Sequence, residues 1–273
     1  MLKLLGHGLA VLLLTVVTQI GGLAWLAALL LRRLLFRKSG SRVMLLALFL
    51  LCYGGSTVAL HLGVVGDRHP LPCQVGEGRH LVVAAALTCL LNRHYVTPET
   101  SYLVDGLARE MNERYPGSLT QVLDAGFPFL DGFPMLPHLS HDDGRKVDLA
   151  FYYQGANGTY RPGALPSPIG YWGFAPPRPG EPQPCAGRAE LLTLRWDMGW
   201  LQPLVRDDLA LDETRTGAAL RWLVAEGDSG GRLGRILLEP HLKQRLGLTS
   251  ERIRFQGCRA ARHDDHFHIE SRY

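Results

Sequence analysis

Arg262-His263-Asp264-Asp265-His266-Phe267-His268-Ile269-Glu270 reads as a strand that carries chemistry. In an extended chain, residues two apart point the same way. His266 and His268 therefore aim at one point, with Glu270 on the same face. A second group lies far upstream: His138-Leu139-Ser140-His141-Asp142-Asp143-Gly144-Arg145-Lys146-Val147-Asp148. It precedes a run of β character, Val147 to Tyr153, which puts Asp148 at the start of a strand. Together the two groups offer imidazoles and a carboxylate, the ligand types of a catalytic zinc. The chain has 11 histidines, so one such cluster would be ordinary. Two clusters, each mixing His with Asp beside a strand, set a metal site against the plainer reading of hydrogen-bonded surface or core histidines.

The 273 residues suffice for one medium domain or two small ones. Mean hydropathy is near zero, and the cause is local. Gly8 to Leu31 carries no charge, and neither does Val43 to Val65 apart from His61. Each run exceeds the roughly 20 apolar residues that cross a bilayer, which predicts two N-terminal transmembrane helices. A cleaved signal peptide fits the first run poorly, because Arg32-Arg33 follows it in place of small residues. The basic stretch Arg32 to Arg42 marks a cytoplasmic loop, which would put both termini and everything after about Gly66 outside. The net charge of +4 comes partly from that loop. No basic helix or aromatic-interleaved patch points to nucleic acid.

Cys52 falls inside the second apolar run. Cys73, Cys89, Cys185 and Cys258 fall in the exterior part, where two disulfides in any of three connectivities are possible. None has C-x-x-C spacing, which argues against a cysteine metal site or redox motif.

Gly66 to Gly78 reads as a linker and His80 to Leu91 as a helix or buried segment. Thr97-Pro98-Glu99 is a helix start, with Thr97 as N-cap and Pro98 in the first turn. Strands are expected near 119–123, 191–196, 235–238, 253–255 and 266–270, and helices over 216–225 and 240–246. Gly155 to Gly187 is a long Gly/Pro-rich loop. Its Tyr171, Trp172 and Phe174 either line a substrate cleft or anchor the loop to the core. Strands and helices mix without a βαβ rhythm, which predicts an α+β fold with an antiparallel sheet.

The two histidine motifs, in this order, resemble those of the group joining lysostaphin-type, D-Ala-D-Ala and hedgehog-type zinc folds. The fuller patterns His138-x-x-His141-x-x-Gly144-x-x-x-Asp148 and His263-x-x-His266-x-His268 are more similar to penicillin-insensitive murein endopeptidases. Arg235 to Leu246 also resembles the strand-helix unit those enzymes carry before the last motif. The similarity covers roughly Tyr102 onward and is poor in the Gly/Pro-rich middle.

The resemblance implies Zn²⁺ held by His141, Asp148 and His268, with His266 facing the open position as base or oxyanion stabiliser. It implies His138 and His263 around the ligands. His263 is taken with His266 as a candidate catalytic residue, and Asp265 with His138 as a candidate residue just outside the ligands. The D-Ala-D-Ala branch has a glutamate where Asp265 stands and an arginine ahead of the first ligand. Thr120 to Ser140 has no Arg or Lys, so the endopeptidases fit better. The chain then divides into a two-helix anchor (1–66), a linker with the first helix of the exterior part (67–98) and a zinc metallopeptidase domain (99–273). The expected activity is hydrolysis of D-amino-acid-containing peptide cross-links of peptidoglycan on the periplasmic side of a bacterial cytoplasmic membrane. A D,D-carboxypeptidase or dipeptidase of the same fold is the alternative within enzymes, and a zinc-bearing wall-binding module the alternative without catalysis. Asp142, Asp143, Asp264 and Asp265 either orient ligand imidazoles or are solvated loop carboxylates.

Overall fold

The computed structural model describes residues 2–36, 41–63, 66–76, 78–187, 195 and 199–272. The strand expected at 191–196 lies outside these apart from Arg195.

The first apolar run does not form one long helix. It breaks at Gln19, whose φ is 65°, into α1 (Leu2–Thr18) and α2 (Gly21–Leu35). Thr18 Oγ1 accepts from Gly21 N at 2.8 Å. A Cβ on Gly22 would stand 1.9 Å from Thr15 Oγ1 and 2.7 Å from Val11 O, so only glycine lets α2 fold back this closely along α1. His7 lies against Trp25, as an antiparallel hairpin requires. α3 (Arg42–His61) packs on α2 through Ala28, Leu45 and Leu48, with Trp25 against Phe49. At 1.5 Å per residue its 20 residues reach about 30 Å. Among the described helices α3 alone is long and apolar enough to cross a membrane, and α1 is a shorter apolar helix. The expectation of two N-terminal spans is therefore corrected. An uncharged window says nothing of a reversal inside it, and the chain bends at Gln19-Ile20 with Gly21-Gly22 opening the next helix.

The fold of the remainder is mixed α/β. Its elements are β1 (His69–Pro70), β2 (Leu81–Val83), α4 (Ala86–Leu90), β3 (Tyr95–Val96), α5 (Pro98–Arg114), β4 (Thr120–Asp124), β5 (Lys146–Ala150), β6 (Tyr153–Gly155), β7 (Leu209–Leu211), α6 (Glu213–Ser229), β8 (Leu233–Leu237), α7 (Pro240–Arg245), β9 (Ile253–Arg254) and β10 (His266–Ser271). Six strands form one sheet in the order β2-β4-β5-β10-β8-β9. The inner pairs are antiparallel, as expected, but β2–β4 and β8–β9 are parallel. The sheet is thus mixed and not antiparallel throughout. Each parallel pair is joined by a crossover that contains helices, α4 and α5 in one and α7 in the other, as parallel neighbours demand.

Alternation along the central strands separates core from chemistry. Val147 and Leu149 of β5 and Phe267 and Ile269 of β10 are fully buried, and α5 and α6 pack on that side. Thr97 Oγ1 caps α5 by accepting from Thr100 N, and Leu103, Val104, Leu107 and Met111 form the helix's buried face. Asp148, His266 and His268, in the other phase, must point to the opposite face.

The helical layer docks on this domain at specific points. Gln19 Oε1 accepts from Phe129 N at 2.9 Å, and Tyr53 OH donates to Leu90 O at 2.6 Å. Ile20, Leu60 and Tyr95 pack together, with Tyr53 and Phe129 around them.

Disulfides join Cys73 to Cys89 and Cys185 to Cys258. Cys52 is a free thiol on α3.

Candidate metal centre

The centre is assembled from strands in the middle of the sheet and the loop between β4 and β5. Register places His268 opposite Asp148, and Asp124 opposite Asp148 on the other side. His141 arrives from the loop. Gly144, at φ 71°, makes the turn that returns the chain to β5. A Cβ there would also meet the Arg68 guanidinium at 2.9 Å, so the glycine of the upstream motif has two physical reasons. His141 Nδ1 faces Ala125 O at 3.0 Å. A carbonyl only accepts, so Nδ1 carries the proton and Nε2 is turned inward.

Three atoms then meet. His141 Nε2 is 3.1 Å from His268 Nδ1, His268 Nδ1 is 2.8 Å from Asp148 Oδ1, and His141 Nε2 is 3.2 Å from Asp148 Oδ1. A tetrahedral ion with bonds of about 2.0–2.1 Å spaces its ligand atoms roughly 3.3 Å apart, close to this triangle. His138 joins them: one donor atom each from His138, His141 and Asp148 lies within 4.8 Å of the others, an arrangement able to hold a metal ion. We favour His268 over His138 as the third donor. Its nitrogen lies close to both of the others, whereas His138 Nδ1 is engaged by Asp124 Oδ2 at 2.8 Å.

The electrostatics favour a cation at this point. Burial opposes charge on Asp148, yet His141, His266 and His138 outweigh it and hold the carboxyl well below its usual range. Burial likewise opposes a charged His141, but Asp148 pushes it up. His268, buried and adjoining two other imidazoles, is pushed down to about 4. A neutral imidazole is the form that binds metal.

The neighbours are organised around this triangle. His266 Nδ1 lies 2.5 Å from Asp265 Oδ1, and a carboxylate can only accept. Nε2 is therefore the free face of His266, 3.6 Å from Asp148 Oδ1. Burial opposes charge on His266, but Asp148 and Asp265 lift it to about 9. Asp265 Oδ2 accepts from Trp172 N at 2.6 Å, where Trp172 sits at φ 70°. Tyr171 OH donates to Asp148 Oδ2 at 2.8 Å. The long loop thus touches the centre directly and anchors on it. The His263 ring lies 5.1 Å from that of His266, tilted by 50°, and burial with its His266 and His268 neighbours keeps it well below the ordinary imidazole range. Its backbone N donates to Glu239, which Arg195 grips with two bonds.

All seven residues singled out from the sequence, His138, His141, Asp148, His263, Asp265, His266 and His268, come together here. Of the four ambiguous aspartates only Asp265 orients an imidazole. Asp143 pairs with Arg145 and Lys146, Asp142 lies 3.7 Å from Lys146, and Asp264 pairs with Arg262. Glu270 pairs with Arg235 at the rim. Sequence reasoning missed Asp124 and Arg93. Arg93 holds Asp124 and also donates to Leu136 O, which fixes the loop ahead of His138. Arg93 stands far upstream of the loop it supports, and backbone pairing just past β4 brings it near, where Ala125 N donates to Arg93 O at 3.1 Å.

No protein-family model matches the chain, and no curated protein matches it.

Proposed function

We propose that the protein is a zinc peptidase that hydrolyses D-amino-acid-containing peptide cross-links of peptidoglycan. The observation that carries this reading is the triangle of His141 Nε2, Asp148 Oδ1 and His268 Nδ1 with the free Nε2 of His266 beside it. Two imidazoles and one carboxylate suit zinc, and three protein ligands leave a fourth position open. The chemistry a zinc ion would supply there is Lewis-acid polarisation of a carbonyl and acidification of water towards a pKa of about 7. Lifted to about 9, His266 would stand protonated, donate through Nε2 to the developing oxyanion or leaving group and take the proton back. Asp265 fixes its ring through Nδ1. Tyr171 and Asp148 share a hydrogen bond that orients the carboxylate. Two disulfides suit an oxidising exterior compartment. Arg32, Arg33 and Arg42 lie at the end of α2 and the start of α3. With α3 crossing the bilayer, the positive-inside rule puts the domain outside, where the wall is.

The test is made on full-length protein in detergent. Cross-linked muropeptides are expected to yield monomers, and release of terminal D-Ala alone would favour a D,D-carboxypeptidase. About one zinc per chain is expected, lost in His141→Ala, Asp148→Ala and His268→Ala. His266→Ala should retain zinc and lose turnover by roughly 10²–10⁴-fold. Full zinc occupancy in Asp148→Ala would overturn the ligand set. Metal without turnover on any wall fragment would leave a binding module.

A further inference from the structure

A second donor group, separate from the centre just described, lies where the end of α4 and the start of β3 meet the segment after β1. Cys73, Cys89 and His94 each offer one ligand atom, all within 4.8 Å of one another. His94 is 2% exposed, and its Nδ1 has no hydrogen-bond partner. A buried polar atom left unpaired is costly, and a functional reason is expected for it. The spacing of the cysteines in the sequence argued against a metal site, but the fold removes that objection.

The backbone holds the three residues together independently of the Cys73–Cys89 bond. β1 pairs with β3 as His69↔Val96 and Pro70↔Tyr95, and Leu71 N donates to His94 O at 2.8 Å. This fixes the Cys73 segment beside His94. At the end of α4, Asn92 N donates to Cys89 O at 3.0 Å and Arg93 N to Thr88 O at 2.9 Å, which fixes Cys89. Opening the disulfide therefore leaves two thiols and an imidazole assembled around one small volume.

We infer that the reduced Cys73/Cys89 pair and His94 form a Cys₂His site for a thiophilic divalent cation such as Zn²⁺, closed to metal when the disulfide is formed. A dithiol reductant supplies two electrons and two protons, becoming a disulfide while Cys73 and Cys89 become thiols. Metal binding then displaces both thiol protons, so two thiolates and one neutral imidazole face the ion. Two sulfurs and one nitrogen suit zinc, with water in the fourth position. The inference does not rest on the peptidase reading.

Co²⁺ is the probe, because only a thiolate site gives a sulfur-to-cobalt charge-transfer band. The His/Asp centre contains no sulfur and stays silent in that region. Full-length protein is titrated with Co²⁺ before and after reduction by a phosphine, which does not compete for metal as a dithiol would. The oxidised protein should show no band, and the reduced protein one equivalent. Cys73→Ser and Cys89→Ser should abolish it, and Cys185→Ser/Cys258→Ser should keep it. His94→Leu should weaken Co²⁺ binding at least tenfold. His268→Ala, which lacks the first metal, should still give the band, so the two readings fail separately. Absence of the band in reduced wild-type protein overturns the inference. So does its survival in Cys73→Ser, or an unaltered affinity in His94→Leu.

Discussion

Gly126→Ala tests whether the metal centre depends on one close approach of backbone to backbone. Gly126 exchanges hydrogen bonds with Tyr95 in both directions at 3.0 Å. A Cβ at this position would stand 2.9 Å from Tyr95 O, 3.0 Å from Gly144 Cα and 3.3 Å from Gly144 N. All three are main-chain atoms, so no side chain can swing aside. Overpacking of this kind costs about 1–3 kcal/mol. The alanine recovers about 0.4–1 kcal/mol through the unfolded chain, leaving a net loss of about 1–2 kcal/mol. For a domain of this size that lowers Tm by about 2–8 °C. The strain falls between Ala125, whose carbonyl holds the His141 ring, and Gly144, which turns the chain towards Asp148. Metal affinity should therefore drop by about 10–100-fold, the usual effect of disturbing a ligand's support. Thermal unfolding by tryptophan fluorescence and metal titration measure the two effects. Gly54→Ala is the control: a Cβ on that α3 glycine meets nothing within 4 Å, so metal affinity should not move and Tm should hold or rise slightly. An unchanged Tm with unchanged metal affinity in Gly126→Ala would show that the contact is slack and refute the reasoning.

Removing the Cys185–Cys258 bond, which spans 73 residues, should cost about 4 kcal/mol in chemical denaturation, against about 3 kcal/mol for the 16-residue Cys73–Cys89 bond. A loss under about 1 kcal/mol at both would show that the bonds do not restrict the unfolded chain. Burial, then neighbouring His61, pushes His94 down to about 4 from an ordinary value of 6.5. The folded state thus binds fewer protons between these values, so stability is intact above pH 6.5 and falls as pH drops towards 4. The loss is about 3 kcal/mol. His94→Leu should remove that part of the acid sensitivity, and parallel pH curves for the two proteins would contradict the assignment. Gln19→Leu deprives Phe129 N, and Leu130 N at 3.4 Å, of their acceptor. An unpaired amide costs about 1–3 kcal/mol, so hydrogen exchange at Phe129 should speed by about 5–150-fold. Unchanged exchange would mean that the helices are not held there.

Local signals were legible where one short segment settles its own structure. Thr97-Pro98 announces α5, and the spacing of His266 and His268 announces their shared face. The two histidine motifs named every imidazole that the centre brings together. What stayed hidden depends on distant partners. Asp124 looks like any strand-end carboxylate until Arg93 and His138 close on it. Gly126 looks like a loop glycine until Gly144 packs against it. The hairpin of α1 and α2 was obscured for another reason. Hydropathy sums over a window, whereas a reversal needs only Gln19 and two glycines that admit a neighbouring helix. The parallel edges of the sheet were unreadable because β2 and β9 are short, and their partners are chosen by crossovers.

The position of β10 carries a further consequence. It is the last strand of the sheet in chain order, yet it sits between β5 and β8. Until it arrives, the sheet exists only as two separate halves, each with an open edge. His266 and His268 come with it, so a chain that has not yet made β10 cannot assemble the donor triangle. Pairing over such sequence distances is also slow, which prolongs that interval. The donor triangle is therefore tied to one event: it is complete only when β10 slots between β5 and β8 and joins the two halves of the sheet.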